Sequence, residues 1–471
     1  MSAPSHITGD QSHPAAAARA AVSTRAGSLS GEATVPGDKS ISHRALIMGA
    51  LSVGKTEITG LLTGDDVLRT AHTMAALGAR VEESPASDGK SVWTVQGRGI
   101  GGLTAPADVL DMGNSGTGAR LISGLLSAYP FTSVLTGDAS LRRRPMDRII
   151  KPLRGTGAKF TTAEDGRLPM TIVGASMPLA LAYDSPVASA QIKSAVLLAG
   201  LHAPGLTTVT EPTASRDHTE RMFRHFGVEV EAGPASGMGA GAYKVSIIGQ
   251  PELTGRPVAV PGDPSSAAFL VVAALLVPGS HLIIRNVGVN PLRTGLFTTL
   301  QEMGAEIAFR NPREEAGEPV ADLEVKSSAL KGITVPAARA PSMIDEYPIL
   351  AIAAALAEGE TRMEGLGELR VKESDRLTVM EKNLAACGVS ASVSGDVLTV
   401  RGGAPKGNTA VTIPVNLDHR IAMSFLVLGM AGNRPIAIDD SSAIGTSFPG
   451  FIPLMNGLGA SITAADGREL S

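Results

Sequence analysis

The sequence predicts an α/β protein of two domains, each built from three copies of one strand–helix–strand–helix–strand unit (βαβαβ). Three observations lead there. The chain has 471 residues, too many for one ordinary core and suited to two domains of about 200 residues. A helical pattern closing on glycine recurs six times at intervals of roughly 70 to 85 residues. Six other helical stretches are apolar nearly all round, which places them inside a core.

The glycine-closed helices read "AALGARVE" (Gly78), "RGTGAKF" (Gly157), "RHFGVEV" (Gly227), "QEMGAEI" (Gly304), "AACGVSA" (Gly388) and "NGLGASI" (Gly459). Each glycine stands where a left-handed residue ends a helix, and a strand-like run follows. Leu377, Met380, Leu384 and Cys387, like Leu292, Leu296, Leu300 and Met303, keep the spacing of one apolar helical face. The buried helices upstream are "ALIMGAL", "ARLISGLLSA", "IKSAVLLAGL", "AAFLVVAALLV", "YPILAIAAALA" and "IAMSFLVLGMA". Short β-like runs such as "TEITGLL", "TTVTEP", "HLIIRNV", "TRMEGL" and "PIAIDD" lie between the two kinds of helix. "VPGD" occurs at Val35 and again at Val260, so the domains are expected to join there. The expected division is a first domain over 37–258 and a second over 29–36 and 259–471. Residues 1–28, rich in Ala and Ser without apolar period, read as a disordered tail. A cleaved targeting segment is the second reading, disfavoured by its length and its two arginines.

Composition narrows the function. A net charge of −4 opposes a nucleic-acid or membrane-surface protein, so any anion site must be a local cluster of cations. A single cysteine, Cys387, allows no internal disulfide and points to the cytoplasm. The longest apolar runs, Ala267 to Val277 and Tyr347 to Leu356, fall short of the ~18 residues of a membrane span.

The mouths of the buried helices carry the chemistry. They read "GDKSISHR", "MGNSGTGAR", "VASAQIKS", "GDPSS", "SMIDEYP" and "NLDHR". Asp38, Asn114, Ser189, Asp263, Asp345 and Asp418 are residue types that cap helices. Capping is the reading for Asp263 and Ser265, because no cation accompanies them. It does not account for Lys39 and Arg44 where the twin motif has Pro264 and Phe269. A cation at a helix N-terminus opposes the dipole by ~0.3–1 kcal/mol, and a bound multivalent anion would offset that. Arg144, Arg216, Lys372, Arg376 and Arg420 also stand at helix entrances, so one shared anion site is expected.

The blocks "PGDKSISHRALIMGAL", "GNSGTGARL", "GDASLRRRPM", "SAQIKSAVLLAGL", "SRDHTERMF", "IDEYPILA", "RVKESDRL" and "DHRIAMSF" resemble the 5-enolpyruvylshikimate-3-phosphate synthase family. The wording is similar to that of its second, bacterial class. The resemblance runs from about Gly31 to the C-terminus. It implies two inside-out α/β domains, each of three repeated βαβαβ-type units, with the active site in the cleft between them. It implies enolpyruvyl transfer from phosphoenolpyruvate to shikimate 3-phosphate, in the shikimate pathway to chorismate and aromatic amino acids. No cofactor and no metal are implied, nor a nucleic-acid or membrane partner, and the protein is expected to be monomeric.

Carried over by position, Lys39 touches both substrates and serves catalysis with Asp345 and Glu373. Ser40, Arg44, Ser189, Ala190, Gln191, Arg216, Asp345 and Lys372 bind shikimate 3-phosphate. Gly116, Arg144, Gln191, Arg376 and Arg420 bind phosphoenolpyruvate. Asp345 is the base at the 5-hydroxyl and Glu373 handles the proton at C3. Carboxylates amid cations are expected to be ionised in the empty site. His419 either assists or is a supporting hydrogen bonder.

Two positions depart from the commoner pattern. Thr446 stands where many relatives have Lys. Gly116 stands where glyphosate-tolerant members have Ala, so sensitivity or partial tolerance is expected. A sister transferase acting on UDP-N-acetylglucosamine typically uses a loop Cys, whereas Cys387 lies on an apolar helix stripe. A non-catalytic anion binder would be expected to lack Asp345 or Glu373, and an RNA 3′-phosphate cyclase would need a basic groove.

Overall fold

The computed structural model describes residues 5–6, 19–85, 91–236, 239, 241–403, 409–465 and 468. Six small sheets are present among them, and one pattern underlies all six. A short strand pairs in parallel with the strand that follows a buried helix, and two antiparallel strands complete the sheet. In one repeat, Leu110–Asp111 leads to the helix Gly116–Leu126 and then to the parallel partner Thr132–Thr136. Arg167–Val173 pairs with that strand, and Lys159–Ala163 sits at the edge. A parallel pair needs a crossover, and the buried helix supplies it. The repeat therefore has one strand more than the βαβαβ reading, because the strand after the second helix turns back as a hairpin.

The chain divides into two compact units. The first holds Gly37–Val260 and Glu314–Glu318, with the strand Ser5–His6. Residues 19–36, Pro261–Arg313 and the described residues from Pro319 onward form the second. Residues 259 and 260 thus belong to the first unit, because Val258–Ala259 pairs with Lys55–Thr59 and completes its first sheet. The expected tail also needs correction. Residues 1–4 and 7–18 lie outside the described residues, but Ala21–Thr24 is a strand between Ile436–Ile438 and Ser461–Ala464. Four residues are too few to show a period, and both partners lie more than 400 positions away in sequence.

Each unit has its own core, made largely by three buried helices. They are Lys39–Leu51, Gly116–Leu126 and Ala190–Gly200 in the first unit. In the second they are Pro264–Leu276, Tyr347–Leu356 and His419–Ala431. Strands such as Lys55–Thr59 alternate exposed and buried, so the sheets cover the helices and meet solvent with one face. Close approach needs glycine: a Cβ on Gly124 would lie 2.3 Å from the Ala195 carbonyl oxygen. The six glycines that close the second helices all have φ between 81° and 109°, the left-handed conformation their positions predict. Among the described residues no helix is long and apolar enough to cross a membrane.

Candidate active site

Helix capping separates structural from functional polar residues. Asp38 accepts from the Ile41 N–H at 2.9 Å, Asp263 from Ser265 at 2.7 Å and Asp418 from Arg420 at 3.0 Å. Ser189 caps through Ile192 at 3.5 Å. Asn114 and Asp345 do not cap. Ser115 caps the second buried helix, and Glu346 precedes the fifth without a side-chain cap bond. Asn114 instead accepts from the Arg144 guanidinium, and Asp345 faces Lys372 and Arg376.

The first unit carries Lys39, Ser40, Arg44, Gly116, Arg144, Ser189, Ala190, Gln191 and Arg216. Lys39 Nζ lies 2.9 Å from Asp66. Arg44 is buried, donates to Thr219 Oγ1 and Ser194 Oγ at 2.7 Å each, and reaches the Ser40 carbonyl at 2.9 Å. Burial pulls its pKa down to about 10, against the pull of Glu220, Asp38 and Glu318, so it remains a cation at neutral pH. Gln191 accepts from Arg120 Nη1 at 3.0 Å and donates to Thr117 Oγ1 at 3.0 Å. Arg144, held by Asn114, also reaches Ser140 Oγ at 3.3 Å. A Cβ on Gly116 would lie 2.8 Å from Arg144 Nη1, so this bare backbone abuts the guanidinium. Ala190 opens its helix, and Arg216 stands half-buried in the loop before the helix His218–His225.

The second unit carries Asp345, Lys372, Glu373, Arg376 and Arg420, and these form one network. Arg376 is fully buried. It lies 2.8 Å from Asp418, 2.5 Å from Glu373 and 3.4 Å from Asp345. Burial opposes its charge, but Asp418 and Glu373 outweigh burial and raise its pKa. Lys372 Nζ lies 3.3 Å from Asp345. Arg420 donates to the Asp345 carbonyl at 3.1 Å and lies 3.4 Å from Glu346. His419 Nε2 meets Ser447 Oγ at 3.2 Å. Thr446 turns its hydroxyl onto the Ala443 carbonyl at 2.7 Å.

The twin of the Lys39 helix also has a cation at its mouth, brought from another loop. Arg293 Nη2 lies 3.0 Å from Asp263 and 2.9 Å from Ser265 Oγ, beside buried Glu346. Capping by Asp263 holds, but the absence of a neighbouring cation was true only of the sequence. Asp66, Arg120, Glu346 and Arg293 were not singled out from sequence. Arg120 sits inside the quoted block "GNSGTGARL", and its place one helical turn after Gly116 was the available signal.

The family profile of EPSP synthase (3-phosphoshikimate 1-carboxyvinyltransferase) matches residues 24–455. The chain belongs to the EPSP synthase family. A curated 3-phosphoshikimate 1-carboxyvinyltransferase of Paramagnetospirillum magneticum is 62% identical over 441 residues, covering 94% of this chain and 97% of its own. One of Rhodospirillum rubrum is 62% identical over 437 residues, covering 92% and 96%. Among solved structures, EPSP synthase from Acinetobacter baumannii matches with a TM-score of 0.81 at 44% identity, over 95% of this chain and all of that one. The enolpyruvyl transferase NikO from Streptomyces tendae matches at 17% identity with a TM-score of 0.71, which shows a shared EPSP-synthase-like fold.

Proposed function

We infer that the protein transfers the enolpyruvyl group of phosphoenolpyruvate to the 5-hydroxyl of shikimate 3-phosphate and releases phosphate. Membership of the EPSP synthase family carries the reaction. The roles of individual residues are proposals. The observation that supports them best is the network in which Lys372, Arg376 and Arg420 surround Asp345 and Glu373.

Both substrates are anions, so cations must hold them and offset their mutual repulsion. Lys39, Ser40, Arg44, Ser189, Ala190, Gln191, Arg216 and Lys372 hold shikimate 3-phosphate. Lys39, Gly116, Arg144, Gln191, Arg376 and Arg420 hold phosphoenolpyruvate. Asp345 takes the proton from the 5-hydroxyl as that oxygen attacks C2. C3 gains a proton through Glu373, which gives a tetrahedral adduct. C3 then loses a proton, the C2=C3 bond re-forms and the C2–O bond to phosphate breaks. Glu373 lies 2.5 Å from Arg376, a neighbour that favours the carboxylate, so it takes up its proton during turnover.

Second-class membership rests on motif wording and on Thr446. A monomeric, cytoplasmic protein is proposed from the family resemblance and the lone, buried Cys387. A solution mass of one chain checks the first.

Phosphate release with phosphoenolpyruvate, with and without shikimate 3-phosphate, tests the reaction. Release is expected only with both, and Asp345→Ala is expected to lower kcat by about 10²–10⁴-fold while shikimate 3-phosphate still binds. Binding without release in the wild type would favour a non-catalytic anion binder. Release with UDP-N-acetylglucosamine would indicate the sister activity.

A further inference from the structure

Lys193 is fully buried on the helix Ala190–Gly200, and no step above uses it. Its Nζ lies 3.0 Å from Glu211 and 2.7 Å from Glu220, and it donates to the Ser215 carbonyl at 3.2 Å. Both carboxylates are buried too. The fold does not need a cation at this place. Lys193 is the fourth residue after its N-cap, and the equivalent places in the other five buried helices hold Ser42, Ala119, Ala267, Leu350 and Ala422. Burying such ions costs several kcal/mol each before their attraction is counted, and an apolar replacement is often neutral. The cluster therefore calls for a reason other than stability.

Glu211 supplies one. Its Oε1 accepts the Ser189 N–H at 2.8 Å, and both its oxygens accept the Ser215 hydroxyl at 2.8 Å. Ser189 opens the buried helix, while Ser215 precedes Arg216 in a different loop. One carboxylate thus ties together two loops that each carry an expected ligand of shikimate 3-phosphate. Another such ligand, Arg44, borders the same cluster through Ser194 and Thr219, the chain neighbours of Lys193 and Glu220. Burial works against the Lys193 charge, but Glu220 and Glu211 outweigh it and raise its pKa, so the cation persists.

We propose that Glu211, charge-balanced by Lys193, is a positioning residue for shikimate 3-phosphate, holding the Ser189 and Ser215–Arg216 loops in their phosphate-binding arrangement before the substrate arrives. This rests on the reading that Ser189 and Arg216 contact that substrate. The Glu211 carboxylate itself touches no reacting atom. Its loss acts on shikimate 3-phosphate binding rather than on chemistry.

The test is steady-state kinetics with each substrate varied in turn, alongside calorimetric titration of shikimate 3-phosphate and thermal unfolding. Ser215→Ala removes one tie and leaves the charges in place. It is expected to raise KM for shikimate 3-phosphate about 3- to 10-fold. Glu211→Gln is expected to raise it about 10- to 100-fold, with kcat and KM for phosphoenolpyruvate within about threefold of wild type. In Glu211→Gln the Lys193 ammonium keeps its 2.7 Å pair with Glu220, so the variant is expected to unfold at a higher temperature than Lys193→Met, which strands both buried carboxylates. If Glu211→Gln does not fold, Ser215→Ala decides. Equal shikimate 3-phosphate affinity in wild type and Ser215→Ala, or a loss confined to kcat, overturns the positioning role. A folded wild type that binds no shikimate 3-phosphate overturns the functional reading instead.

Discussion

At Gly116 one methyl group is enough to displace the Arg144 guanidinium. An added Cβ would meet Arg144 Nη1 at 2.8 Å and Arg120 Nη1 at 3.1 Å. Both are the far ends of flexible side chains, so the fold accepts alanine while the guanidinium shifts. Gly116→Ala is expected to raise KM for phosphoenolpyruvate about 5- to 30-fold, equivalent to about 1–2 kcal/mol. Inhibition by the larger glyphosate molecule is expected to weaken further than that. Inhibition assays of both proteins check this, and equal, high tolerance in the two would refute it. The same scale shows what sequence can carry. Lys39, Arg44 and Arg376 are legible because a cation at a helix mouth contradicts the dipole and requires a cause. Glu211 is not, because nothing in "TVTEPTAS" says that its side chain will meet the N–H of Ser189. Arg293 escapes notice for the same reason: its partner Asp263 stands 30 positions away.

The helices Gly116–Leu126 and Ala190–Gly200 bring Gly116 and Gln191 to one place because Gly124 lets their backbones touch. An added Cβ would lie 2.3 Å from the Ala195 carbonyl oxygen and 2.6 Å from its Cα, and backbone cannot step aside as a side chain can. Gly124→Ala is therefore expected to cost about 1–3 kcal/mol, and to lower the midpoint of the first unit by several degrees. Calorimetry checks the shift, and an unchanged midpoint would mean the helices part freely. The buried helices are legible from their unbroken apolar runs, and the second helices from their period and closing glycine. The returning strands are harder. Val397–Arg401 and its partner Ser390–Ser394 are five residues each, half-exposed, and joined by a turn at Gly395. Such short runs read as one strand and a loop.

In the chain as a whole, the two units have separate cores, yet neither is contiguous in sequence. The second unit takes Ala21–Thr24 into its last sheet and Ser30–Thr34 into its first. A chain beginning at Leu29 would leave Ile436–Ile438 and Ser461–Ala464 without the strand that joins them. Its second unit is expected to lose roughly 2–4 kcal/mol, or about 5–15 °C in midpoint, with the first unit unchanged. Identical calorimetric traces for the two chains would count against this. That threading also sets an order of assembly on the ribosome. Ser30–Thr34 emerges early, but its partner His281–Gly288 is translated some 250 residues later, and the partners of Ala21–Thr24 later still. Meanwhile Gly37–Val260, nearly all of the first unit, can fold while its flanking strands wait as unsatisfied edges. Such edges invite pairing with other nascent chains, so the crowded polysome is where this protein is most exposed to misassembly.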